Sequence, residues 1–295
     1  MGKYSAKKNV KPVLILLCLI LLNVVGIYLT RYILSYTILT LIEIMLVFFD
    51  LYELYYIIST FTISYEITNK SILIKSFLQL RDVEINLKDI KGYKVSSGHE
   101  SGVKLSGFAF LDIMVGRAFV KDLGLSRMYA TSNNDIIYII TDDINYAITP
   151  IEVDKFIATL QGMNLEYTNQ KELKESHNSL HRDKAFMIPF CIITLISFLM
   201  FMIPFIIYLK GKLPYTMPLS FDMNFNPMKI GTGKQFAFQQ MIYGGLNLSL
   251  LLCMYFAGHF TYKYDKKSSY KYIYISLIVA LTFFVVQIRI LNVYL

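Results

Sequence analysis

The sequence predicts an α+β membrane protein: about five transmembrane helices, with a small antiparallel β-sheet or barrel inserted after the second and followed by one α-helix packed on it. Three observations carry this. Of 295 residues, 55% are apolar and 17% charged, where a soluble chain carries about 25% charge, and mean hydropathy is +0.48. Apolar runs long enough to cross a bilayer stand at both ends of the chain. Between them, apolar residues alternate with polar ones, which is the period of a half-buried strand.

The elements follow in order. The tail MGKYSAKKNVKP is basic, with Lys3, Lys7, Lys8 and Lys11. An apolar run over 13–29 follows at once and ends in NVVGIYLTRY, which offers no small-residue cleavage site; it reads as a retained signal anchor. Ala6 stands where N-myristoylation requires Ser or Thr. A second span over 32–49 returns directly after Arg31, so residues 1–58 form a tight transmembrane hairpin.

Residues 59–163 form the inserted sheet domain. Ile63, Tyr65 and Ile67 alternate with polar residues, as do Ile72 and Ile74, then Val83, Ile85 and Leu87. TNKS at 68–71 reads as a turn, SSGHESG at 96–102 as a loop, and SNND at 132–135 as a turn into the strand IIYII. Thr149, Pro150 and Glu152 make a capping box with proline in the first helical position. Val153, Phe156, Ile157 and Leu160 then lie on one helical stripe, and Gly162 stops it. Residues 164–184 are a polar linker. Residues 185–295 hold spans at about 185–208, 236–256 and 273–293.

Lys and Arg beside the spans set the orientation. The N-tail, the 171–184 segment and the loop with Lys263, Lys266, Lys267 and Lys271 fall on one side if there are five spans. Lys210, Lys212, Lys229 and Lys234 vote the other way, and are outnumbered. The expected arrangement has the N-terminus and sheet domain in the cytoplasm, with the C-terminus and the 213–234 segment outside.

Several chemistries are set aside. The net charge of +8 sits largely beside spans, where it meets anionic headgroups, so no nucleic-acid partner is expected. Cys18, Cys191 and Cys253 lie in apolar runs and read as small buried thiols, with neither disulfides nor a metal cluster. IGTGKQ is no phosphate loop: Met228 stands at the first glycine position and Gln235 follows the lysine. His177 and His181 are spaced i, i+4, with Glu175 and Asp183 nearby, but in a polar linker this reads as chance rather than a metal site. No nucleophile–base set is legible, so neither an enzyme nor a cofactor is expected.

Two features ask for a role. LPYTMPLSFDMNFNPMKIGTGK, at 213–234, reads as a rigid loop: Pro214 and Pro218 fix φ and push the preceding residues toward extended conformations. Leu213, Pro214, Pro218, Ser220, Phe221, Asp222 and Lys234 are its candidate recognition residues for a protein or peptide, or for lipid. Glu43 lies mid-span, where a carboxylate is costly. It reads as an interhelical hydrogen-bond lock or an ion relay, paired with Arg289, Asn23 or Asn247; Arg289 otherwise snorkels. Gly244 and Gly245 allow close helix approach.

Two family resemblances are carried by particular residues. Tyr146, Ile148, Thr149, Pro150, Phe156, Ile157 and Leu160, with the stretch GFAFLDIMVGRAFVKDLGLSRMYATSNNDIIYIIT, resemble the bacterial pleckstrin-homology (PH)-like domain over roughly 60–163. This implies a strongly bent sheet capped by a helix. PH domains that bind phosphoinositides use spaced basic residues around the first hairpin. Here Lys70 and Lys75 are followed by Ser76 and Phe77, so phosphoinositide binding is not carried over. Leu213, Pro214, Pro218, Phe221 and Lys234 resemble the loop of a bacterial membrane family of unknown function, DUF1648, found also in immunity proteins of the SdpI type. Asp222 stands where that loop usually has Asn, Ser220 replaces its histidine, Phe225 its glycine and Met228 its acidic residue.

The function expected from all this is a non-catalytic sensor or accessory protein of the bacterial cell membrane, in envelope stress or toxin immunity. Its PH-like domain would meet a cytoplasmic protein or the membrane surface. The alternative is a small transporter with an ion or proton path through Glu43.

Overall fold

The computed structural model describes residues 2–7, 11–33, 35–98, 101–110, 112–168 and 180–295. The chain runs β1 (Gly2–Ser5), α1 (Lys11–Thr30), α2 (Tyr36–Thr62), β2 (Ser64–Ile67), β3 (Ser71–Ser76), β4 (Arg81–Asn86), β5 (Ile90–Ser96), β6 (Gly102–Phe110), β7 (Ile113–Val120), β8 (Gly124–Ala130), β9 (Ile136–Thr141), β10 (Asn145–Ile148), α3 (Val153–Gly162), α4 (Lys184–Leu209), β11 (Thr216–Phe221), β12 (Pro227–Thr232), α5 (Gly233–Tyr262) and α6 (Lys266–Tyr294). It divides into two compact units: Met1–Leu22 with Phe49–Ser176, and Asn23–Phe48 with His177–Leu295.

In the first unit the strands form two sheets, ordered β1-β2-β3-β4 and β5-β9-β10-β8-β7-β6. The two-residue period sorts side chains to opposite faces. Tyr65, Ile67, Ile72, Ile74, Ile113, Val115, Ile137 and Ile139 form the main core. Met128, Ile136, Tyr138 and Ile140 form a second cluster, on the other face of the larger sheet. The IIYII strand is therefore buried on both faces. Phe156 and Leu160 of α3 enter the main core, with Val153 and Ile157 packed at its margin. The helix docks through its apolar stripe, and each buried large side chain adds about 1.5–3 kcal/mol.

Three departures from the sequence expectation have physical causes. The sheet is not antiparallel throughout, since β10 pairs in parallel with β8. The 131–135 connection carries the chain past the place β10 later fills, and β10 then returns antiparallel to β9. The N-terminal tail is more than a basic flank: β1 pairs with β2, Gly2 opposite Ile67 and Ser5 opposite Ser64. Tyr4 anchors it edge-to-face on Phe156, with ring centroids 5.0 Å apart, and its hydroxyl bonds Thr159 at 2.9 Å. The capping box over Thr149, Pro150 and Glu152 does not form. The helix starts at Val153, with Glu152 at the cap position and no side-chain cap bond. Other partners, tertiary for Thr149 and Pro150 and local for Glu152, have taken the intended groups. The Thr149 hydroxyl accepts from the Thr131 N–H at 3.0 Å, Pro150 bridges to Ala6, and Glu152 pairs with Lys155 at 2.9 Å.

The second unit contains the bundle α4–α5–α6. Gly244 faces α4 closely: a Cβ there would meet the Ser197 carbonyl at 3.0 Å, whereas one on Gly245 would meet open space. Side chains hold the helix starts. Asp183 accepts from Ala185 N at 3.1 Å and from the Tyr270 hydroxyl at 2.7 Å, and pairs with Lys266 at 3.3 Å. Burial pushes its carboxyl up, but these bonds outweigh it and hold the group below the usual carboxylate range. Thr232 and Gln235 make the reciprocal capping box at the start of α5.

Among the described residues, four helices are long and apolar enough to span a membrane: α1, α4, α5 and α6. The fifth expected span, 32–49, falls in α2, which is not among them and which carries Glu43, Asp50 and Glu53. The three cysteines are exposed on helix faces rather than buried. An apolar run marks a thiol as membrane-embedded but does not say which face of the helix it takes.

Candidate functional site

The 213–234 segment is more ordered than a stiff loop. It is a β-hairpin, with Thr216 opposite Thr232, Met217 opposite Gly231 and Pro218 opposite Ile230, and the register shifts around Ser220. Met217 and Phe221 face inward and join Phe236, Val286, Ile290 and Leu291 in one buried cluster. The hairpin thus sits on the ends of α5 and α6. Leu213 packs at the edge of that cluster. Gly233 is required where the chain folds back: a Cβ would meet the Pro214 carbonyl at 2.6 Å. Lys234, in the first turn of α5, places its ammonium 5.9 Å from the Phe238 ring centroid.

Asp222 builds the turn. Its carboxylate accepts from Asn226 N at 2.7 Å, Asn224 N at 2.9 Å and Asn226 Nδ2 at 3.1 Å. The Asn226 backbone N–H, then its side chain, holds the carboxyl below the usual range. Phe225 takes a left-handed conformation, φ +63°, and stacks on Phe221 with centroids 4.4 Å apart and planes 7° from parallel.

Arg289 clamps this turn. Its guanidinium lies 4.0 Å from the Phe225 ring centroid and 5.3 Å from that of Tyr36, and Nη1 donates to the Tyr36 hydroxyl at 2.5 Å. Arg289 therefore neither pairs with Glu43 nor snorkels away. Glu43 is exposed on α2. Asn247 is buried in α5, where its Nδ2 donates to Tyr243 O at 2.9 Å. The three predicted intramembrane polar residues are not brought together.

A polar interior that the sequence reading missed lies beneath the hairpin. A cavity of about 40 Å³ is lined by Ser35, Ser220, Gln240, Tyr243 and Gln287, among others. Gln287 is 1% exposed; its Nε2 donates to Met200 O at 3.0 Å. The Gln287 and Asn247 amide oxygens and the Ser197 and Ser276 hydroxyls have no hydrogen-bond partner among the described residues. Such groups are costly in an apolar bundle. The signal was present as glutamines inside spans, but each stood alone in the sequence. At the other histidine site, His181 Nδ1 lies 2.8 Å from the Tyr255 hydroxyl, while His177 and Glu175 fall outside the described residues.

In the first unit, Lys75 is held by Glu66 at 2.7 Å, as a charge paired at the sheet surface.

Residues 63–164 match the bacterial PH domain family. An uncharacterized protein of Clostridium acetobutylicum is 37% identical over 255 residues, covering 86% of each chain. The chain belongs to the family of that clostridial protein. The likeness is much longer than the PH match, so the family shares apolar helices as well as the PH domain. Within this chain the bacterial PH domain comprises β2–β10 and α3, and takes an extra strand, β1, from before the first apolar helix. No solved structure matches.

Proposed function

We propose that this family member is a non-catalytic sensor or accessory protein of the bacterial cell membrane. The hairpin is its outward recognition surface, and the PH domain is its cytoplasmic contact with a protein or with the membrane surface. The observation that carries this reading is the clamped hairpin. Arg289, Tyr36 and Phe225 fix it from below, while Tyr215, Ile230 and Met228 stand 87%, 65% and 51% exposed on it. Exposed apolar groups on a rigid platform suit capture of an exported peptide or a partner segment.

The pairing of β1 with β2 fits a shared side for the N-tail and the PH domain. The chain must leave and return to one side between Ser5 and Ser64. If α1 crosses the bilayer, α2 is its return leg, at about 40 Å for 27 residues. Toxin immunity is the sharper form of the reading, and rests on the resemblance carried by Leu213, Pro214, Pro218, Phe221 and Lys234. The test replaces Tyr215, Met228 and Ile230 together by serine, which leaves the buried Met217 and Phe221 in place. Cells carrying this variant in place of the wild type should lose resistance to secreted peptide toxins or envelope stress. A variant as protective as wild type in every such assay would sink the reading.

A small transporter is the second reading. It is favoured by the unsatisfied oxygens of Gln287 and Asn247 inside the bundle. Purified protein in liposomes should then pass protons or ions, and Gln287→Leu should stop the flux. Liposomes no leakier than protein-free ones remove this reading.

A further inference from the structure

We propose that the PH domain holds a phosphate group in an interior cavity between Arg117 and Arg127. Its arginines stand on β7 and β8, not on the first hairpin with Lys70 and Lys75, which contributes only Ser76 from the end of β3. It is found where the alternation of the strands breaks its own rule. On β7, Ile113 and Val115 point to the main core, and the next residue on that face is Arg117. On β8, Tyr129 points to the same core, and the residue before it on that face is Arg127. On β3, Ile72 and Ile74 are followed on their face by Ser76, which is 2% exposed. Both sheets thus change from apolar to polar at one place, and the polar residues converge there. Arg117, Arg127, Ser76, Ser106 and Tyr129 line one cavity of about 70 Å³.

The arrangement fits an oxyanion. Arg117 and Arg127 are direct cross-strand partners, and Ser106 is the next partner of Arg117 in the same row. Arg127 also lies over the Tyr129 ring, 5.3 Å from its centroid, which pre-orients the guanidinium. Two guanidinium forks match the geometry of phosphate oxygens, and serine hydroxyls donate to what remains. The cavity has room for several water molecules, hence for one tetrahedral oxyanion, but not for a nucleotide.

The phosphate can be free inorganic phosphate or the monoester headgroup of phosphatidic acid. The test uses the full chain in phosphatidylcholine nanodiscs and measures uptake of radiolabelled inorganic phosphate at constant ionic strength. Saturable uptake is expected, with Arg117→Gln weakening it about tenfold or more, since a hydrogen bond to a charged group contributes about that much. Arg127→Lys keeps the charge but loses the fork and should weaken it less. Ser76→Ala is a smaller change, and supplies the test if Arg117→Gln does not fold. A second arm replaces part of the lipid by phosphatidic acid. Displacement of the label by the lipid assigns the headgroup as ligand, and undisturbed uptake assigns free phosphate; either supports the site. Wild type that takes up no label and is not stabilised against heat by phosphatidic acid overturns the proposal. So does uptake that all three variants leave unchanged.

Discussion

Phe225 occupies a backbone position made for glycine. Its φ of +63° costs a non-glycine residue about 1–2 kcal/mol. Its ring returns more, through the stack on Phe221 and the contact with Arg289, at about 1 kcal/mol each. Phe225→Gly should therefore lower the thermal unfolding midpoint by the equivalent of at most about 1 kcal/mol; a higher midpoint would show that backbone relief outweighs the rings. Tyr65 makes a parallel case in the PH domain. Its hydroxyl donates to Tyr129 O at 2.8 Å and accepts from Thr149 N at 3.1 Å, and burial pushes the phenol up to about 12. Tyr65→Phe leaves both backbone groups buried without that partner and should destabilise by about 2 kcal/mol in denaturant titration. The Thr149–Pro150–Glu152 misreading has the same root. A local cap motif is a weak competitor when a buried strand end needs the same hydroxyl.

At the scale of elements, what could be read from the sequence was what is local. The runs of α4, α5 and α6 are apolar enough overall to be read as spans, and the α3 stripe repeats within ten residues. Strand β1 was illegible because four residues carry no period and their partner strand lies beyond two helices. The β11–β12 hairpin was hidden by prolines, which are tolerated at the edges of a two-stranded ladder. Removing residues 2–5 would expose β2 as an edge and should make the PH domain markedly easier to cleave in limited proteolysis; unchanged cleavage would mean β1 is dispensable. The start of α4 gives a pH prediction. The Asp183 carboxyl is held below its unfolded value of about 4, so its contribution is complete above that value. It is lost only as pH falls through the lower folded value. Asp183→Asn should cost about 2–3 kcal/mol at pH 7 and should flatten the acid limb of stability below about pH 4. A variant as stable as wild type at neutral pH would show that the buried carboxylate contributes nothing net.

At the scale of the whole molecule, the pairing of β1 with β2 constrains topology in a way that hydropathy alone does not. Counting charges beside spans puts the N-tail and the sheet domain on one side as an expectation, and the proposed arrangement needs this because β1 and β2 share one sheet. Apolarity selects α1 but not α2 as a span, because Glu43, Asp50 and Glu53 dilute α2, so its crossing has to be argued from connectivity. The family likeness over 86% of both chains runs well beyond the residues that match the bacterial PH domain. The measurement that tests the proposed arrangement most directly is cysteine accessibility in whole cells. Tyr215→Cys and Asn134→Cys would be placed singly in a background with Cys18, Cys191 and Cys253 replaced by serine, and labelled with a membrane-impermeant thiol reagent. Labelling at 215 but not at 134 is expected, with the hairpin outside and the PH domain inside. Labelling at 134 but not at 215 would put the PH domain in the envelope and contradict the account.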